Sequence, residues 1–236
     1  MRNIIESLNP DDRKKYDYDL LEEKYIENQD RIIDDEAAIE ELKRNITGKD
    51  VLLIAPGKSS ETEKDKIIDY IKERQPVVIG VNAVNPSYDL DYLFVINTTR
   101  YDYAKEIYPT QFNVPEKILL SNIKTVADEK EIIINFNRVI KRGWEHFDNA
   151  VINCLRLMDK IKPKRVAIAG FDGFKHKYNE SYADYSLPTL NPDNKWDELN
   201  EEIKEMFEDF LASKTSDMQI RFVTQSIFNV KGAEVK

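Results

Sequence analysis

The sequence predicts an α/β chain: a doubly wound, mainly parallel sheet preceded by an N-terminal helical appendage. Three observations carry this. Short, unbroken apolar runs recur, beginning with Val51, Leu52, Leu53, Ile54 and Ala55, as expected of strands buried on both faces. Segments of helical periodicity alternate with these runs, the pattern of β-α-β units. Glycine and small polar residues cluster where the runs stop, marking the strand exits.

The elements follow in order. Residues 1 to about 47 contain no glycine and are rich in Asp, Glu, Lys and Tyr. Asn9, Pro10, Asp11 and Asp12 read as a helix start, with a capping side chain, a first-turn proline and acids that suit the positive end of the dipole. Tyr16, Leu20, Leu21, Tyr25 and Ile26 then recur at helical spacing, and Ala38, Ile39, Leu42 and Ile46 share one face of a second helix that Gly48 ends. Strands are expected at residues 51–55, 77–81, 92–96, 117–120, 132–134, 165–169 and 219–223. Helices are expected at 60–74, 99–107, 147–161 and 195–213. Residues 171–194 hold no regular pattern, and so long a loop is usually functional or mobile. The expected division is a helical appendage or connector over residues 1–48 and a Rossmann-like α/β domain over residues 49–236.

Composition narrows the function. The net charge is −9, which argues against nucleic acid as the main partner, because phosphate backbones call for clustered Lys and Arg. A local anion pocket is still compatible with it. The single cysteine, Cys154, lies in an apolar helical pattern and reads as a buried small hydrophobe rather than a nucleophile. No apolar run reaches membrane-spanning length, and the N-terminus lacks the features of a signal peptide. These readings predict a cytoplasmic, reducing setting with no membrane partner.

In an open α/β sheet, ligands bind beyond the carboxyl ends of the strands. The residues that follow the predicted strands are therefore the candidate site: Gly57, Lys58 and Ser59 after the first, Asn82 after the second, Asn97, Thr98, Arg100 and Tyr101 after the third, Asp172 after the sixth and Ser226 after the last. Gly57, Lys58 and Ser59 are not a P-loop, because the position of its leading glycine holds Leu52. No dinucleotide-binding glycine fingerprint is present either. Two readings of the turn stand: an ordinary strand-to-helix connection, or free amides that hold a phosphate with Lys58. Ser60 and Glu63 have capping-box spacing, which sets the helix start near residue 60. Arg100 reads as an anion clamp or a surface arginine, and Asp172 as a turn residue or a ligand to a sugar hydroxyl or metal. The two histidines, His146 and His176, lack metal-ligand spacing, so no structural metal site is expected. Asp172 and His176 are the weak candidates for a proton carrier. Tyr178, Tyr182 and Tyr185 of the long loop form either a lid or an anchor.

Three groups of residues also carry a family resemblance. They are Leu53 through Ser59; Ile79, Gly80, Val81 and Asn82; and Asp91 through Asn97 with Arg100 and Tyr101. Together they look like the C-terminal domain of bacterial aldolase-like proteins of the hydroxymethylglutaryl-CoA lyase and 4-hydroxy-2-oxovalerate aldolase type, often encoded among genes for surface-polysaccharide synthesis. Ile168 through Phe174 also fits that domain. The acidic helical stretch resembles the connector after the barrel. The family's barrel binds its divalent metal through a His-x-His pair, which this sequence lacks. The resemblance therefore implies the accessory domain of an aldolase-like protein without the lyase chemistry. Similar turns also occur in CMP-sialic-acid-dependent sialyltransferases and pterin pyrophosphokinase-like proteins. By that analogy Gly57 and Ser59 touch phosphate, and Asn82 and Asn97 the nucleotide. The sialyltransferases use a histidine late in the fold, and no histidine follows His176.

Three functions follow as expectations. The first is an accessory domain that binds a nucleotide, nucleotide sugar or sugar phosphate beside an aldolase-like barrel in cis or trans, a nucleotide or nucleotide sugar being the one cofactor the sequence suggests. The second is an independent transferase using a nucleotide-activated donor. The third is a ligand-free interaction module.

Overall fold

The computed structural model describes residues 31–107, 115–123, 131–175, 181–184, 186–187 and 196–229. The helix expected from Asn9 onward, and His176, Tyr178 and Tyr185, lie outside the described residues.

The seven apolar runs form one sheet: β1 (Asp50–Ile54), β2 (Val77–Val81), β3 (Tyr92–Val95), β4 (Glu116–Leu120), β5 (Glu131–Ile134), β6 (Arg165–Ala169) and β7 (Gln219–Phe222). Their order is β5-β4-β3-β2-β1-β6-β7, and every pairing is parallel. The chain is thus an α/β protein of Rossmann-like arrangement. Most strands are continuous apolar runs because both faces are covered. Successive side chains point to opposite faces. Val51, Leu53 and Ala55 enter one core cluster, and Leu52 and Ile54 enter another.

The helices are α1 (Glu36–Ile46), α2 (Ser59–Thr62), α3 (Lys64–Arg74), α4 (Thr98–Ile107), α5 (Phe136–Val139), α6 (Ala150–Ile161) and α7 (Trp196–Ser213). α1, α6 and α7 bury Leu42, Leu155, Phe207 and their neighbours in the larger cluster, whereas α3 covers the opposite face with Ile67 and Tyr70. The second helix of the N-terminal stretch therefore shares the core of the sheet. Asp35 secures its start by accepting hydrogen bonds from the Asn135 backbone N–H (2.8 Å) and from Arg138 Nε (2.7 Å).

Four local features differ from expectation. The helix expected over 60–74 is broken at Glu63 into α2 and α3. The Ser60–Glu63 capping box does not form: Lys58 is at the N-cap of α2, and the Glu63 carboxylate instead accepts from the Gln225 N–H (3.1 Å) and pairs with Lys66. The helix expected from 147 begins at Ala150, because Asn149 caps it by accepting from the Ile152 N–H (3.2 Å). The short helix α5, absent from the expectation, makes the turn out of β5.

The connection from β5 through α5 and α6 crosses to β6, on the far side of β1. From β1 the chain leaves toward β2, and the later elements return to β1 from its other edge. This reversal is the topological switch point where α/β sheets open a crevice.

Candidate functional site

A crevice of about 120 Å³ opens at the carboxyl ends of the central strands. A water needs roughly 10–15 Å³ in such a measure, so the space suits a small molecule rather than one water. Gly57, Asn82, Asn97, Arg100 and Asp172 all line it. The exits of β1, β2, β3 and β6 thus meet at one place. The turns after β1 and β6 touch directly, with the Gly57 N–H donating to Gly170 O (2.8 Å).

Lys58, Ser59, Thr98, Tyr101 and Ser226 are not among the residues that line the crevice. Ser59 is buried, and its donors are committed: its N–H donates to Asp172 Oδ2 (2.7 Å), and its hydroxyl bonds Asp172 Oδ1 and Thr224 Oγ1. The anion position at the start of α2, which the sequence left open for a phosphate, is filled by the chain's own carboxylate. Gly57 is small for the same reason. A β-carbon there would lie 2.3 Å from Gly170 O and 2.8 Å from Asp172 Cγ. Gly170, at φ +71°, passes so close to Ala55 that a β-carbon would lie 2.0 Å from the Ala55 carbonyl oxygen. The Tyr101 hydroxyl bonds Glu131, and Ser226 Oγ donates to Phe171 O, so both hold the scaffold.

Burial pushes the Asp172 carboxyl above its ordinary range. The Ser59 bonds partly hold it back, and the Glu63 carboxylate adds to the rise.

Asn82 and Asn97 shape the rim. Asn82 has a left-handed backbone (φ 59°), and its side-chain oxygen accepts from the Ile96 N–H (3.1 Å), tying the β2 exit to the β3 exit. Asn97 Oδ1 accepts from the Arg100 N–H (2.9 Å), capping α4 and setting where Arg100 emerges.

Arg100 is only 6% exposed, and its Nη1 is buried without a hydrogen-bond partner among the described residues. Its guanidinium lies 5.2 Å from the ring centre of Tyr182. Its field helps hold the Asp184 carboxyl low, alongside bonds from Ser186 and Tyr103 that outweigh burial. Tyr182 is itself buried, on a segment that pairs with the β1 exit: the Lys58 N–H donates to Ser181 O (3.2 Å), and the Ala183 N–H to Pro56 O (2.9 Å). This part of the long loop therefore lies against the crevice as an anchored strap.

The sequence reading passed over two contributors. The N-terminus of α6 reaches the crevice through Asp148, Asn149, Ala150 and Val151. Just before it, His146 lines the same space. Its N–H donates to Glu202 Oε1 (3.0 Å), and its Nδ1 lies 2.5 Å from Glu202 Oε2. A signal was available. A helix that precedes a parallel strand runs against it, so the helix start sits on the same rim as the strand exits. Glu202, 56 residues further on, had no such signal.

Among the described residues, no cluster of His, Cys, Asp and Glu is arranged to hold a metal ion, and no helix is long and apolar enough to cross a membrane. Compared with protein-family models, curated proteins and solved structures, the chain gives no match. Fold and site together define a Rossmann-like α/β protein with a crevice of mixed polar and aromatic lining at its switch point.

Proposed function

We propose that this crevice binds a small phosphorylated molecule, a nucleotide, nucleotide sugar or sugar phosphate, with Arg100 as its anion clamp. One observation carries the reading: Arg100 Nη1 is withdrawn from water with no acceptor in hydrogen-bonding reach among the described residues. Leaving such a donor unsatisfied costs about 1–3 kcal/mol, more for a charged group. A phosphate oxygen supplies the missing acceptor and the compensating charge. The α6 N-terminus, which opens on the same space, adds a favourable partial charge for an anion. The aromatic wall of Phe171, Phe174, Tyr182 and Phe228 offers an apolar surface for a base or sugar ring. The family resemblance supports an accessory role beside an aldolase-like barrel.

Thermal shift and calorimetry with CMP, CDP, UDP-sugars and sugar phosphates test the reading. A bound ligand raises the melting temperature by mass action. The expected result is a rise that Arg100→Met abolishes and Lys58→Ala preserves, since Lys58 lies outside the crevice lining. No rise with any phosphorylated probe refutes it.

A further inference from the structure

We propose that His146 is the catalytic base of the crevice, held in place by Glu202. The reaction it serves is transfer of a carbon-borne group from a phosphate leaving group to a hydroxyl. The proposal rests on the anion-binding reading above and adds a reaction to it.

The Glu202 carboxylate grips His146 twice, at the backbone N–H and at Nδ1. A carboxylate in this role accepts hydrogen bonds, so the Nδ1 it faces carries the proton. In the neutral ring the basic lone pair is then on Nε2, at the edge away from Glu202. Nε2 has no hydrogen bond among the described residues. The ring is 8% exposed as a residue and lines the space that Arg100 also lines. Glu202 rides on α7, whose Leu199 and Ile203 line that space too. Asn153 Nδ2 donates to Phe147 O (3.3 Å), fixing the segment that carries the ring. A base and an anion clamp therefore line one cavity, with the carboxylate that positions the base bonded to it from α7, an arrangement suited to acid–base chemistry.

The step balances without a redox partner. The acceptor's O–H proton passes to Nε2 as its oxygen attacks the carbon. The bond from that carbon to the phosphate oxygen breaks, and its electron pair leaves with the phosphate beside Arg100. The imidazolium then returns the proton to solvent. With water as acceptor the same step is hydrolysis. The other charged groups lining the crevice are Asp148 and Asp172.

The test follows release of nucleotide or phosphate from UDP-glucose, GDP-mannose, a CMP-activated sugar and glucose 1-phosphate by phosphorus NMR, with CDP binding measured by calorimetry. We expect release from at least one donor. His146→Gln should cut it by about 100-fold or more while CDP still binds. Glu202→Gln should give a smaller loss and a displaced pH profile. CDP binding without release from any donor overturns the catalytic proposal and leaves the anion site standing. Absence of release, together with absence of binding by every phosphorylated probe named above, overturns the two together. Unchanged release in His146→Gln, or loss in His176→Gln instead, also overturns it. Should His146→Gln fail to fold, nitrogen NMR of the unaltered protein decides: a proton on Nδ1 of His146 agrees with the proposal, and a proton on Nε2 rejects it.

Discussion

Two regions of this molecule each hold a carboxylate, buried at Asp35 and half-buried at Asp172, and a largely buried guanidinium, and they use them in opposite ways. Beside β5, Asp35 and Arg138 meet: Nε and Nη2 both donate to the carboxylate, and Glu36 adds a second anion. Burial raises the Asp35 carboxyl, but the bonds from Arg138 and Asn135 outweigh it and the net shift is downward. At the crevice, Asp172 is bonded by Ser59 and no ion pair among the described residues joins it to Arg100. Its carboxyl is held above the usual range by burial, and Arg100 keeps an unpartnered Nη1. The first arrangement is satisfied within the chain and ties α1 to α5. The second leaves one buried donor of Arg100 without an acceptor among the described residues, as a binding site does.

Breaking the first pair should have the largest effect. Asp35→Ala leaves the Asn135 N–H without its acceptor and Arg138 with Glu36 alone, and we expect a loss of about 2–4 kcal/mol in urea unfolding, somewhat below the range for a fully buried pair because Arg138 is 26% exposed and keeps that second anion. Replacing both partners, Asp35→Leu with Arg138→Met, should recover much of it. A single-variant loss under about 1 kcal/mol would show the pair to be incidental.

Gly57→Ala comes next. Its methyl group meets Gly170 O and Asp172, and overpacking of this kind costs about 1–3 kcal/mol. The change should also separate Asp172 from Ser59. A crystal structure of a stable Gly57→Ala protein with that contact intact would contradict this account.

Arg100→Met sharpens the contrast. We expect CDP affinity to fall at least about tenfold, roughly 1.4 kcal/mol. Stability in the absence of ligand should change by less than about 1 kcal/mol, because no satisfied ion pair is lost. Arg138→Met should do the reverse, destabilising the protein while sparing the affinity.

The smallest effect is on pH dependence, and the two carboxylates have opposite signs. Asp35, with a depressed folded pKa, contributes stability above the ordinary value near 3.8, and that contribution is lost as pH falls through the depressed value. Asp172, with a raised folded pKa, favours the folded state in its neutral form. Stability from it therefore declines as pH rises from near 3.8 through the raised value. Asp172→Asn should remove that decline from the stability profile, and a decline of undiminished size would show that another group causes it.

The strands were legible because period and composition suffice when both faces are buried, as β1 and β6 show. The candidate site was legible only as far as strand exits mark a rim, which located Arg100, Asn82 and Asp172. Between the two readings of the turn at Gly57, Lys58 and Ser59 the sequence could not choose, because the partner that occupies the Ser59 N–H, Asp172, lies 113 residues away.

The sequence by itself determined the α/β class, the strand positions and the rim on which polar side chains gather, since these depend on local periodicity and the direction of parallel strands. Only the tertiary structure decided which polar groups satisfy one another. Asp172 fills the start of α2, Glu202 orients His146, and Arg100 Nη1 is left unpaired. Electrostatic pairing falls off with distance in space and is indifferent to distance along the chain, so only the folded contacts could settle it.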